Sequence, residues 1–322
     1  MRAPTALALI RPSVPRPAIA MFITWALMTG CSSSRELLPP WFDQIQRLPV
    51  LSVTVEGQRL AYLDRGQGST AVLLHGFGGS MWQWEYQQTE LSLRHRVITL
   101  DLLGSGLSDK PDIDYRPDRL VASLRGFLDE LGIERASLVG NSMGAGLAIA
   151  FALTYPDRVD RLVLIDGLPA GVESKLTSPL MKRAVGTRTP VWLAEFGNWL
   201  FGSDATERVL KEIVFDHTLL TPAVMERSKR NRRQTGVIRP LMSLRDHLPQ
   251  WESAFARRLH AISRPTLILW GEEDRLFPPH VGLEMQALIP HSTLHLIPHA
   301  GHIPQWEQPL VVNRHLLAFL ES

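Results

Sequence analysis

The stretch SLVGNSMGAGLAIAFAL, residues 137–153, places the apolar run Leu138-Val139 and the apolar helical run Ala145 to Leu153 on either side of Gly140-Asn141-Ser142-Met143-Gly144. A glycine on each side of the serine lets a strand and a helix approach closely through one tight turn. The serine hydroxyl is left standing above the sheet at a helix N-terminus, where the peptide dipoles favour negative charge. A serine acting only as a helix N-cap would not need both glycines. The stretch therefore predicts a strand-to-helix elbow in a parallel sheet, with Ser142 as a nucleophile.

Outward from the elbow, the apolar runs Ala71 to Leu74, Val97 to Leu100, Leu162 to Ile165, Thr266 to Trp270 and Thr293 to Ile297 each sit among helical patterns. Runs without polar alternation are the mark of strands buried on both faces. Leu120, Val121, Leu124, Phe127, Leu128 and Leu131 share one face of a helix with a 3.6-residue period. Val50 to Val55 and Arg59 to Leu63, joined at Glu56-Gly57-Gln58, read as an antiparallel hairpin. From Leu168 to Ser263 no strong strand appears. The expected organisation is an α/β core over 50–167 and 264–322, interrupted by a helical lid over 168–263.

Composition narrows the function. The chain has 322 residues, 45% of them hydrophobic, with 34 Lys plus Arg against 32 Asp plus Glu, and a single Cys. That apolar content supports a folded core, and one cysteine excludes both a disulfide scaffold and a cysteine-rich zinc site. The near-zero balance argues against a dedicated nucleic-acid binder, although the segment from Gly171 to Ser263 is basic, with 15 Lys plus Arg against 9 Asp plus Glu.

Three more motifs follow strands. His75-Gly76-Phe77-Gly78-Gly79 offers backbone N–H groups for a developing oxyanion, and the donors expected are those of Phe77 and Met143. His75 itself reads as a brace for that loop. A serine needs an imidazole to take its proton and a carboxylate to hold that imidazole, so Gly271-Glu272-Glu273-Asp274 and His299-Ala300-Gly301-His302 point to Asp274 and His302, with Asp166 as the alternative acid.

Together these residues resemble the α/β-hydrolase fold family over about Val50 to the C-terminus, which implies a mostly parallel eight-stranded-type sheet with helices on both faces. Asp101-Leu102-Leu103-Gly104-Ser105-Gly106-Leu107-Ser108, and Gly301-His302 with Glu307 and Pro309, are similar to the branch that holds carboxylesterases, carbon–carbon bond hydrolases, epoxide hydrolases and dehalogenases. Ser142, where the last two carry Asp, disfavours both. The Gly-Asn-Ser-x-Gly elbow is shared with carbon–carbon hydrolases of ring-cleavage products, but those commonly carry Trp after the histidine, and here Ile303 follows. The first expectation is a cofactor-free serine esterase or lipase acting on a small-molecule or lipid ester. The alternatives are a carbon–carbon hydrolase, an acyltransferase, and a silent hydrolase-like binding lipoprotein.

The N-terminus reads as an address. Arg2, Arg11 and Arg16 precede an apolar run, Ala18 to Met28, too short to span a bilayer. Leu27-Met28-Thr29-Gly30-Cys31 resembles a bacterial lipobox. The resemblance implies a signal peptide over 1–30, lipidation at Cys31, a tether over 31–49, and a membrane-anchored protein of the bacterial envelope on the periplasmic face of the outer membrane.

Other features take plainer readings. His291, His295 and His299 lie in a strand-like run bracketed by prolines, so no metal site is expected. Arg227, Lys229, Arg230, Arg232 and Arg233 read as a solvated helix face, with contact to anionic lipid as the alternative. Trp82, Trp84, Trp192, Trp199 and Phe201 are expected in the core and on the underside of the lid, with pocket lining as the alternative.

Overall fold

The computed structural model describes residues 49–322. The expected signal peptide, Cys31 and all of the tether except Pro49 lie outside the described residues. Eight strands, β1 (Leu51–Val55), β2 (Gln58–Arg65), β3 (Thr70–Leu74), β4 (Arg96–Leu100), β5 (Ala136–Asn141), β6 (Val159–Ile165), β7 (Thr266–Gly271) and β8 (Ser292–Ile297), form one sheet in the order β1-β2-β4-β3-β5-β6-β7-β8. The pairs β1–β2 and β2–β4 are antiparallel and the rest parallel. Glu56 and Gly57 both adopt positive φ, 47° and 78°, the two-residue turn whose twist suits a hairpin.

The inner strands β3, β5, β6 and β7 are predominantly apolar because both faces are covered. Successive residues alternate between two core clusters: Val72, Leu74, Leu138, Leu162 and Ile268 on one face, Ala71, Leu73, Val139, Val163 and Leu267 on the other. The first face is packed by α2 (Pro117–Glu130), α3 (Met143–Thr154) and α9 (His280–Leu288), the second by α1 (Glu85–Leu91) and α10 (Pro309–Leu320). Each large side chain so buried contributes roughly 1.5–3 kcal/mol.

Between β6 and β7 the chain forms α4 (Pro179–Gly186), α5 (Val191–Ile213), α6 (Pro222–Arg232), α7 (Ile238–Asp246) and α8 (Leu248–Ala254). Two expectations about this segment are corrected. Trp192, Trp199 and Phe201 do not line its underside but are 68%, 77% and 62% exposed, while Gly202 and Leu210 are the buried residues of α5. The basic run on α6 is not a uniformly solvated face. Arg227 is buried against Glu85 (3.0 Å) and over the Trp82 ring, and Arg232 turns toward the interior. Among the described residues no helix is long and apolar enough to cross a membrane.

Candidate active site

The parallel register brings the C-terminal ends of β3, β5, β6, β7 and β8 side by side, so the loops after them converge on one edge of the sheet, where open α/β sheets bind ligands. Ser142 occupies the β5–α3 turn with φ 52° and ψ −115°, a strained backbone for a non-glycine residue. The elbow tolerates no larger neighbours. A Cβ on Gly140 would lie 2.4 Å from Ala145 N, and one on Gly144 2.1 Å from Leu74 O.

Asp274 and His302 meet as the sequence expects. His302 Nδ1 donates to Asp274 Oδ2 at 2.8 Å, which leaves Nε2 of the neutral ring free to accept a proton. Asp274 Oδ1 accepts the N–H groups of Leu276 (2.7 Å) and Phe277 (3.3 Å), so the carboxylate is pinned from both oxygens. Ser142 and His302 border the same cavity. No hydrogen bond joins the serine hydroxyl to the His302 ring among the described residues, and in unliganded hydrolases that contact is often long. Phe77 and Met143 border the cavity as well, and Met143 is the first residue of α3, where N–H groups lack intrahelical partners.

His75 is a brace. It is fully buried, its Nδ1 donates to Gly76 O (2.8 Å), its Nε2 accepts Leu102 N–H (3.1 Å), and burial lowers its pKa to about 4, so it stays neutral. Asp101 opens the glycine-rich turn and fastens the segment after the His75–Gly79 loop, accepting Met81 N–H (2.6 Å) and Leu107 N–H (2.7 Å). Burial lifts its pKa to about 6 against the pull of those donors.

Sequence reasoning missed several supporting groups. Asn141 Nδ2 donates to Ile165 O (3.1 Å) and His302 O (3.0 Å), tying the histidine loop to the sheet. Glu307 accepts Gly301 N–H (2.8 Å) with one oxygen and Phe215 N–H (2.7 Å) with the other, so it couples that loop to the chain leaving α5. Both residues lie in motifs quoted from the sequence, but Ile165, His302 and Phe215 are far from them along the chain, so no local pattern announces these contacts.

The cavity has a volume of about 330 Å³, within the range of small-molecule sites, and is mostly apolar. Its polar wall includes Ser228, Asn231 and Arg232 of α6. Arg232 Nε donates to Asn198 Oδ1 (2.8 Å), and burial lowers the guanidinium's pKa without neutralising it. The available signal was positional: polar residues at i, i+3 and i+4 on α6 share one face.

The profile of the alpha/beta hydrolase fold family matches residues 72–309. The chain belongs to that family. It is 35% identical over 281 residues to the 2-hydroxy-6-oxononadienedioate/2-hydroxy-6-oxononatrienedioate hydrolase of Paraburkholderia xenovorans (strain LB400), covering 81% of this chain and 90% of that one. It is 30% identical over 270 residues to the 2-hydroxy-6-oxo-6-phenylhexa-2,4-dienoate hydrolase of Burkholderia cepacia, with 82% and 92% covered. Among solved structures, a meta-cleavage product hydrolase from Pseudomonas fluorescens IP01 superposes with a TM-score of 0.71 at 29% identity, covering 84% of this chain and 97% of that one. An esterase from Thermogutta terrifontis superposes with a TM-score of 0.70 at 28% identity, with 84% and 98% covered. The protein is thus an enzyme of the hydrolase class, and backbone likeness alone does not separate the two chemistries.

Proposed function

We propose that this hydrolase cleaves a carbon–carbon bond in a 2-hydroxy-6-oxo-dienoate, a ring-cleavage product, rather than the carboxylic ester that the sequence first suggests. The observation that carries this reading is Arg232, a charged and largely buried residue that lines the mostly apolar cavity holding Ser142. A neutral ester gives a buried cation no partner, whereas every substrate named for the two relatives above carries a carboxylate. A guanidinium and a carboxylate pair well because the planar fork of donors matches two oxygens.

The geometry supports the following steps. Ser142 Oγ attacks the 6-oxo carbon while His302 Nε2 takes its proton, and Asp274 stabilises the resulting imidazolium. The Phe77 and Met143 N–H groups receive the oxyanion. With the dienol in its 2-oxo-3-ene tautomer, its 2-hydroxyl proton moved to C5, the C5–C6 bond then breaks, the electron pair delocalises through the 3-ene onto the 2-oxo oxygen at the acid end held by Arg232, and the imidazolium returns a proton to the resulting dienolate. Water releases the acyl group from Ser142 with His302 again as base.

A specific observation keeps ester cleavage as the second reading. Ile303, buried beside His302 and bordering the cavity, stands where carbon–carbon hydrolases of this branch commonly carry Trp. Turnover of a 2-hydroxy-6-oxo-dienoate and of neutral chromogenic esters by the purified full chain separates the two. The dienoate should have the higher kcat/KM, Ser142→Ala should abolish turnover with folding intact, and Arg232→Met should lower the dienoate kcat/KM by about 10- to 100-fold while sparing neutral esters. Ester turnover without dienoate turnover would reject the carbon–carbon reading.

A further inference from the structure

Two carboxyl groups, not one, converge on the His302 side of the site. Asp166 follows β6, and Asp274 follows the adjacent β7. Asp166 is wholly buried, with φ 42°, a left-handed backbone that Asp and Asn adopt more readily than most residues. Its N–H donates to Leu269 O (3.0 Å) and its Oδ1 accepts Gly271 N–H (2.9 Å). Asp166, Asp274 and His302 each present an oxygen or ring nitrogen within 4.8 Å of the other two, and all three side chains are buried. The remaining oxygen, Asp166 Oδ2, is buried and has no donor among the described residues.

Two carboxylates this close and this dry cannot both be ionised cheaply, so one of the pair holds a proton. The hydrogen-bond inventory decides which. Asp274 accepts two backbone N–H groups and the His302 ring N–H, all of which favour its charged form. Asp166 accepts a single N–H. The other titratable groups facing Asp166 are His302 and Glu307, and Glu307 adds a further negative field. Burial, followed by the Asp274 charge, raises the Asp166 pKa well above the carboxylate range.

We propose that Asp166 is a neutral carboxylic acid whose Oδ2–H donates to Asp274, fixing the carboxylate that orients His302. It is a positioning residue. It acts on Asp274, not on substrate, and the role rests on the Ser142–His302–Asp274 reading above. The oxygen without a donor is thereby explained, since a protonated Oδ2 is itself the donor and the carboxylate beside it is the acceptor.

Asparagine reproduces this arrangement atom for atom. Its Oδ1 can accept Gly271 N–H while its Nδ2–H donates to Asp274. Asp166→Asn should therefore keep kcat/KM within a few-fold of wild type and leave the acid limb of its pH profile in place. Asp166→Leu removes the donor and should lose about 10- to 100-fold, with the acid limb displaced upward, because an Asp274 carboxylate relieved of one donor holds the imidazolium more strongly. Asp274→Asn should lose about 10⁴-fold. A drop in Asp166→Asn as large as in Asp274→Asn, or an acid limb moved downward, would mean that Asp166 is ionised and would overturn the proposal. Wild-type behaviour of both Asp166 variants would overturn it too.

An infrared difference spectrum, wild type minus Asp166→Asn, gives a readout independent of turnover and of whether Asp166→Leu folds. At about pH 8.5, above the values of about 6 and about 7 to which burial lifts Asp101 and Glu307, it should show one protonated-carboxyl stretch, and its absence would reject the proposal. Retained activity in Ser142→Ala would instead sink the triad itself, so the two failures are distinguishable.

Discussion

Replacing Gly301 by alanine tests the coupling between the end of α5 and the loop that carries His302. A Cβ at this position would sit 2.5 Å from Ile213 O, at the end of α5, and 3.0 Å from Phe215 N, just beyond it. Carbon–oxygen contacts relax only beyond about 3.3 Å, so the two backbones must separate by roughly 0.8 Å. That movement strains the His302 N–H to Ile213 O bond (2.7 Å) and the Glu307 bonds to Gly301 N–H (2.8 Å) and Phe215 N–H (2.7 Å). A lost buried bond costs about 1–3 kcal/mol, and those to a carboxylate are the stronger kind, so the three together amount to about 3–9 kcal/mol. Thermal unfolding should fall by roughly 6 °C or more. Turnover should fall further than stability alone implies, because a displacement near 1 Å at a catalytic group costs about 100-fold in rate. The assay is a thermal scan alongside kcat measured well below the transition. A Gly301→Ala protein with Tm within about 2 °C of wild type and unchanged kcat would refute the steric argument.

Two further outcomes are expected. Burial raises the Glu307 pKa from 4.5 to about 7, so its stabilising contribution is complete below about pH 4.5 and is lost as pH rises through about 7. Wild-type Tm should therefore fall relative to Glu307→Gln between about pH 5 and 8, and parallel curves would contradict the shift. From the sequence alone we propose that Cys31 is lipidated and that the enzyme works anchored in a bacterial envelope. Metabolic palmitate labelling should mark the full chain and not Cys31→Ser, and absence of label from both would reject the anchor.

What the sequence determined by itself was whatever short-range sterics and periodicity impose. The elbow at Gly140–Gly144 was legible because two glycines around a serine satisfy a clash that any Cβ would create, at 2.4 Å and 2.1 Å. The strands were legible because burial on both faces leaves no polar alternation to confuse with a helix. The order Ser142, Asp274, His302 followed from motifs that each lie within one loop. Tertiary structure decided the rest, because it depends on which elements lie side by side. The α6 arginines share one sequence run, yet Arg227 is held by Glu85 from the α1 side of the molecule and Arg232 borders the cavity. Trp192 and Trp199 have the composition of core residues and share a helical face with Leu210, yet only Leu210 is buried, because what covers each turn of α5 is set by its neighbours in space. Asp166 and Asp274, 108 positions apart, become a proton-sharing candidate pair only because β6 and β7 are hydrogen-bonded neighbours. Periodicity marks a residue's face on its own element. The identity of what meets that face is a property of long-range packing.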